Sequence, residues 1–218
     1  LKSPVGGIRL LSEAIRDAAE IEDKKSLNLF IDRLDNEAER LQRLVIDLLD
    51  LSRLEETPDP DRCPRTDLHS AIVTSFMAHK GEAEDKHLDL VLDDRSVTGD
   101  DCYADMEPLD ASLVFDNLIE NAIMYTDEGS ILVTFEPRGH EIAVIVQDTG
   151  IGIPQTDQSR IFERFYRVDK ARSREVGGTG LGLSLVRHAV ERSKGRVSVK
   201  SNPGEGSQFT VVFPRAKR

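Results

Sequence analysis

Tryptophan is absent from the 218 residues, and aromatic side chains make up only 5% of them. The core must therefore be mainly aliphatic, and a hydrophobic share of 39% can supply it. The two cysteines, Cys63 and Cys102, match no metal or redox spacing, which favours a reducing compartment. Because neither a signal peptide nor a membrane-spanning apolar run is present, we expect the chain as given to be soluble.

Positive charge is in the minority, with 29 lysines and arginines against 40 aspartates and glutamates and a formal net charge of -11. Nucleic acids repel such a surface unless basic residues cluster, and the sequence has no strong basic cluster. We therefore expect no nucleic-acid partner. Charged residues still reach 32%, which favours long solvated helices.

A heptad pattern runs through the first part of the chain. Apolar residues recur at alternating spacings of four and three over 27–48 and over 1–19, and a polar break at 20–25 separates the two segments. The pattern predicts a helical hairpin over 1–56. Extra leucines widen the apolar face beyond what one hairpin needs, which favours a four-helix bundle in a homodimer. A helical cap packed on the rest of the chain is the alternative.

The pattern changes after a predicted linker, 57–66, which is rich in proline and charge and has no periodicity. Within 67–218, helices are predicted over 67–86, 105–125 and 183–192. Strands are predicted over 130–136, 141–147, 195–201 and 207–213, with a shorter one over 87–92. Helices mixed with mostly antiparallel hairpins predict an α+β fold whose second part is a two-layer α/β sandwich.

Asp148 opens the segment DTGIGIP at the end of an apolar strand. A carboxylate in this position can accept a hydrogen bond from an exocyclic amine, and the glycines that follow let the backbone approach a flat ring. A surface turn with an acidic residue explains this segment equally well when it is considered alone.

A glycine-rich segment, GGTGLGLS at 177–184, leads directly into the predicted helix 183–192. Free N–H groups and the helix dipole at such a start are suited to phosphates. The segment lacks the lysine of a Walker loop and the preceding strand of a dinucleotide fingerprint. By itself it is weak evidence for a nucleotide site.

Asn117 and Asn121 are four residues apart on the predicted helix 105–125, so they share one face. Two neutral amides can ligate a hard cation without adding negative charge beside a triphosphate. Two ordinary surface asparagines are the more common explanation of an isolated pair.

In combination and in this order, the three motifs resemble the Bergerat ATP-binding fold of histidine kinases, type II topoisomerases, Hsp90 chaperones and MutL proteins. The segment FERFYR at 162–167 resembles the phenylalanine box of histidine kinases. Asn117 stands where hydrolytic members usually have a glutamate as general base, and an amide cannot take that proton. Residues 1–4, LKSP, resemble the end of the histidine-kinase phosphoacceptor box. Nearly the whole chain is thus similar to the dimerisation and ATP-binding core of a sensor histidine kinase.

The resemblance implies a role for individual residues. Asp148 would bind the adenine amine, Thr210 would support the ring edge, and Asn121 would ligate Mg²⁺ with help from Asn117. Asn117, Arg164 and Arg167 are the implied catalytic residues, the arginines as cations for the γ-phosphate. Arg167 or Lys170 would also compensate for Met124, which occupies a position that is basic in many relatives. The implied nucleotide-binding set is completed by Tyr125, Gly150, Gly152, Ile153, Tyr166, Lys170, Gly178, Thr179, Gly180, Leu181 and Gly182.

The same resemblance implies ATP and Mg²⁺ as cofactors and two partners, a second copy of the chain and the receiver domain of a response regulator. The family's box places the acceptor histidine and its neighbouring acid as the two residues before Leu1, so we expect the 218 residues alone not to autophosphorylate. Ser3 is the candidate residue for a phosphatase activity, and a helix cap is its alternative role. The expected location is the cytoplasmic portion of a bacterial inner-membrane sensor.

The implied activity is autophosphorylation on histidine, followed by relay to an aspartate of the response regulator. Two other functions stay open. One is a dimeric ATP-sensing scaffold without an acceptor. The other is a protein serine kinase like the anti-sigma factors, against which the long hairpin argues.

Overall fold

A computed structural model describes residues 4–21, 23–56, 64–95, 102–168 and 178–216. The predictions for Ser3 and Lys170 lie outside the described residues. Within them, the predicted order of a helical hairpin followed by a mixed α/β sandwich is confirmed.

Two helices form the hairpin, α1 (Pro4–Glu20) and α2 (Lys24–Glu55). Asp23 starts α2 because its carboxylate accepts a hydrogen bond from the Ser26 N–H at 3.2 Å, which satisfies one free donor of the first turn. The apolar face is not fully covered, since Leu48 is 50% exposed and Leu49 is 66% exposed. The four-helix bundle of two hairpins stays a prediction.

A five-stranded sheet forms one layer of the second part of the chain. Its order is β2-β4-β5-β7-β6, with β2 parallel to β4 and the other pairs antiparallel. The strands are β2 (Asp89–Asp93), β4 (Ser130–Arg138), β5 (Glu141–Asp148), β6 (Arg196–Asn202) and β7 (Gly206–Pro214). These bounds differ from the predicted ones by at most two residues.

In the described part of the chain, three helices form the other layer: α3 (Leu68–Asp85), α4 (Pro108–Tyr125) and α5 (Gly182–Arg192). Burial alternates along the central strands, so one face of the sheet packs on these helices. α4 lies at the centre, where Phe115, Leu118 and Ile119 are fully buried. The core is aliphatic with a few phenylalanines, as the composition requires.

A small second sheet was not predicted. The strands β1 (Arg65–Asp67) and β3 (Tyr103–Asp105) pair antiparallel, and β1 begins inside the predicted linker. Strands of three residues are too short to show a period of two in sequence. The pairing also explains why α4 begins later than predicted, because Asp105 belongs to β3.

The end of α2 packs against the α/β layers. Leu54 is 2% exposed and belongs to their hydrophobic core. Arg53 forms an ion pair with the buried Asp110 at 2.8 Å. Arg192 of α5 donates to the carbonyl oxygens of Arg53 and Leu54, both at 3.1 Å, and so caps the end of α2. This packing brings one side of α2 next to the site described below.

Candidate functional site

A cavity of about 400 Å³ lies between α4, the end of β5, the start of α5 and one side of α2. Its size is that of a small-molecule site. Many of the predicted site residues line it, although they are far apart in sequence: Asn117, Asn121, Tyr125, Asp148, Gly152, Ile153, Tyr166, Arg167, Gly178, Thr179, Gly180 and Gly182.

Asp148 is the buried acid of the cavity, with an exposed fraction of 5%. It ends β5 on the buried face because Ile142, Val144 and Val146 precede it at a spacing of two. Its Oδ1 accepts hydrogen bonds from Gly150 N at 2.9 Å and from Ser207 N at 3.1 Å. Burial raises the pKa of Asp148, and these two hydrogen bonds partly oppose that rise. Since both bonds go to Oδ1, Oδ2 is the acceptor that can meet a ligand.

The glycines after Asp148 are required first by protein packing. A Cβ on Gly150 would lie 2.3 Å from the carbonyl oxygen of Tyr125, and one on Gly152 would lie 1.9 Å from that of Asn202. Gly152 also has a φ of +69°, which side chains disfavour. The turn is therefore pressed between the ends of α4 and β6. Gly152 lines the cavity, whereas Gly150 is not part of the cavity wall.

Asn117 and Asn121 project from α4 into the cavity in a defined amide orientation. The Nδ2 of Asn117 donates to Leu113 O at 2.9 Å, and that of Asn121 donates to Asn117 O at 2.6 Å. Their Oδ1 atoms are thus the available ligand atoms, and oxygen is what Mg²⁺ prefers. No group of three or more His, Cys, Asp and Glu within the described ranges could hold a metal ion. A cation here would take its other ligands from water and from phosphate.

The glycine-rich segment meets α4 closely at the start of α5. A Cβ on Gly182 would lie 2.2 Å from Oδ1 of Asn117, so glycine is needed for this approach. The Thr179 hydroxyl accepts from Leu181 N at 3.2 Å and donates to Oδ2 of Asp47 on α2. Phe165 N donates to Gly180 O at 2.8 Å, which ties the phenylalanine box to this segment.

Besides Gly150, three predicted residues within the described ranges lie away from the cavity wall. Arg164 donates to Oε1 of Glu55 at 2.7 Å, at the end of α2. Leu181 is fully buried and packs in the core. Thr210 lies on the other face of β7, because Phe209 next to it turns toward the cavity and neighbouring strand residues point to opposite faces. Ser207 and Phe209 of the same strand line the cavity.

Two acidic residues of α4 that the sequence analysis missed also line the cavity. Asp116 and Glu120 lie beside the two asparagines on α4. Burial raises the pKa of Glu120, and His79 of α3 lies 4.0 Å from it and 3.4 Å from Asp116. The hydrogen bond to Asp116 is the main cause that raises the pKa of His79. The spacing of 116, 117, 120 and 121 on one helix could have identified both acids.

The helical hairpin contributes the remaining wall of the cavity, with Arg43, Ile46, Asp47 and Asp50 of α2. Their spacing of three and four is that of one helix face. No sequence signal distinguished this face from ordinary solvated charge. Met124 therefore shares the cavity wall with two arginines, Arg43 and Arg167.

Comparisons with known families agree with this geometry. Residues 106–217 match the model of the histidine kinase-, DNA gyrase B-, and HSP90-like ATPases, and residues 1–57 match that of the His Kinase A (phospho-acceptor) domain. The chain belongs to this ATPase family, in its sensor histidine kinase branch.

Individual relatives are similar along nearly the whole chain. The sensor-like histidine kinase SenX3 of Mycolicibacterium smegmatis is 38% identical over 218 residues, covering 98% of this chain and 54% of the relative. The sensor protein kinase WalK of Staphylococcus epidermidis is 33% identical, and the match covers 98% of this chain and 35% of the relative. The chain thus spans about half the length, or less, of these relatives.

Solved structures share the fold. The Acinetobacter baumannii histidine kinase AdeS superposes with a TM-score of 0.73 at 22% identity, over 99% of this chain and 97% of that one. Full-length ShkA in complex with AMPPNP gives a TM-score of 0.72 at 23% identity, over 96% of this chain and 44% of that one. Among the described residues, no helix has the length and apolar character needed to cross a membrane.

Proposed function

We propose that the chain is the autokinase core of a two-component sensor, which phosphorylates a histidine with ATP and relays the phosphoryl group to an aspartate of a response regulator. One observation carries this proposal. A buried carboxylate, an amide pair and a glycine-rich helix start converge on one cavity, and a phosphoacceptor-type hairpin forms its fourth wall. Family membership supports ATP as the ligand.

The residues present fit Mg²⁺ and ATP. When bound, these supply the γ-phosphoryl group and a divalent cation that neutralises the phosphates. Oδ2 of Asp148 would accept from the adenine amine, and the Oδ1 atoms of Asn117 and Asn121 would hold the cation. The N–H groups at the start of α5 would meet phosphate. Arg167 lines the same cavity and is the proposed catalytic cation.

The proposed acceptor is the histidine of a His-Glu pair that would form the two residues before Leu1. Two histidines within the described residues are engaged elsewhere, which supports this choice. Nε2 of His69 bonds to Asp94 at 2.9 Å, and His79 lies within the carboxylate cluster of α3 and α4. In the transfer, the bond from the γ-phosphorus to the bridging oxygen breaks, a bond to the imidazole nitrogen forms, and ADP leaves.

The proposed assembly is a homodimer through the hairpin, followed by a linker over 57–66 and a catalytic domain over 67–218. The uncovered leucines of α2 support the dimer, since one hairpin leaves them in water. The receiver domain of the regulator would bind this bundle on the cytoplasmic side of a membrane sensor. A phosphatase role of Ser3 would be abandoned if Ser3→Ala left the phosphatase rate of the extended protein unchanged.

The test is phosphate incorporation from γ-labelled ATP. The 218-residue chain is compared with a version extended upstream through the acceptor box, and the extended version with its acceptor histidine replaced by glutamine is the control. We expect acid-labile, base-stable label on the extended chain only. Acid-stable label would indicate a serine kinase. No label on either chain, despite ATP binding that Asp148→Ala abolishes, would favour the ATP-sensing scaffold.

A further inference from the structure

The α2 wall of the cavity makes a direct contact with the glycine-rich segment. Asp47 accepts a hydrogen bond from the Thr179 hydroxyl, and that hydroxyl also accepts from the backbone N–H of Leu181. A carboxylate from the hairpin therefore lies where the chain changes from the glycine-rich segment to α5. This is the part of the cavity whose N–H groups are suited to phosphate.

Charge in the cavity makes this position unfavourable for two anions at once. Asp50, Asp116 and Glu120 line the same space, and of the residues that the structure describes Arg43 and Arg167 are the cations of its wall. A phosphate group at the start of α5 would compete with the Asp47 carboxylate for the Thr179 hydroxyl, which donates to Asp47 in this structure. The two anions also repel each other strongly in a partly buried site, where water screens charge poorly.

Asp47 is held at this position by the packing of α2. Leu54, two turns further along, is buried in the core, and Glu55 is bonded to Arg164 at 2.7 Å. Asp110 fixes the same end of α2 through its ion pair with Arg53 at 2.8 Å. The contact between Asp47 and Thr179 therefore exists when α2 is packed on the α/β layers, and it is lost when the helix moves away.

We propose that Asp47 competes with the nucleotide phosphates, so that the packed hairpin lowers nucleotide affinity through this one carboxylate. The proposal rests on the nucleotide site of the proposed function. Because binding free energies are coupled in both directions, phosphate entering the site also weakens the packing of α2. Asp47 is thus a determinant of affinity that the hairpin inserts into the site.

The substitution Asp47→Asn tests this competition because it removes the charge and keeps the shape. Calorimetric titrations of the 218-residue chain with a non-hydrolysable ATP analogue and Mg²⁺ are compared with titrations with adenosine. We expect Asp47→Asn to raise the affinity for the analogue about tenfold, or about 1.4 kcal/mol, and to leave the affinity for adenosine unchanged. The control is Asp35→Asn, an exposed carboxylate of α2 about 18 Å along the helix, which should change neither affinity.

Other outcomes would overturn the proposal. Unchanged analogue affinity in Asp47→Asn would mean that Asp47 does not meet the phosphates, and weaker affinity would mean that it helps to hold Mg²⁺. Equal tightening of analogue and adenosine would mean that the substitution only opens the site. Failure of the proposed function is recognised separately by Asp148→Ala. If the analogue binds as well without that carboxylate, the nucleotide lies elsewhere, and the competition is wrong too.

Discussion

Replacing Asp148 by asparagine should reverse the preference of the site between two purines. In the structure, Oδ1 of Asp148 accepts from the N–H groups of Gly150 and Ser207. An asparagine can keep both bonds with its own Oδ1, which places its NH₂ group where Oδ2 was. A hydrogen-bond donor then stands opposite the purine 6-position, where the carboxylate was an acceptor.

The expected size follows from one hydrogen bond. Adenine presents an amine at its 6-position, and losing a charge-assisted bond to it costs about 1.5–3 kcal/mol, or about 10- to 150-fold in affinity. Hypoxanthine presents a carbonyl oxygen there, which the carboxylate repels and the asparagine NH₂ group can bond. Asp148→Asn should therefore weaken the binding of ATP and strengthen the binding of inosine triphosphate. The ratio of the two affinities then changes by more than either affinity alone.

The assay is competitive displacement of a fluorescent nucleotide by ATP and by inosine triphosphate, with both proteins at the same salt and Mg²⁺ concentrations. Thermal unfolding of the nucleotide-free proteins is the control. Burial raises the pKa of Asp148, so its charged form is disfavoured in the folded state and a neutral isostere should not lower the melting temperature. An unchanged ratio of ATP to inosine triphosphate affinity, with both proteins folded, would refute the contact between Asp148 and the 6-position.

Two stability predictions follow from packing, each measured by urea unfolding. Leu54→Ala should lower the free energy of unfolding by about 2–5 kcal/mol because Leu54 is 2% exposed. Leu109→Ala, at a leucine outside the hairpin that is 65% exposed, should change it little, and equal losses would contradict the packing of α2. Gly152→Ala should lower the free energy of unfolding more than Gly139→Ala. Both glycines have positive φ, but only at Gly152 would a Cβ meet another part of the backbone, 1.9 Å from the carbonyl oxygen of Asn202. Equal costs would mean that the positive φ alone requires glycine.

Local pattern was enough to predict the elements that bear the site. The apolar run before Asp148 predicted a strand, and the spacing of Asn117 and Asn121 predicted that both amides share one side of a helix. Both statements concern neighbours along the chain, where periods of two and 3.6 determine which side chains point together. The five predicted strands and the hairpin were found for the same reason.

The sequence could not determine which face of an element meets another element. Thr210 and Phe209 are neighbours on β7, and only the packing of helices on one side of the sheet decides that Phe209 lines the cavity. The pairing of β1 with β3 was missed because each strand has three residues and its partner lies far along the chain.

The charged face of α2 shows this division most clearly. In sequence, Asp47 is one of many acids on a solvated helix, and the heptad pattern predicted the helix and its apolar seam. Its contact with Thr179 joins residues 132 positions apart, and it exists because Leu54 and Asp110 fix the end of α2 on the other layers. Periodicity along a chain contains no information about such a contact. Tertiary packing alone therefore decided that the hairpin forms part of the site.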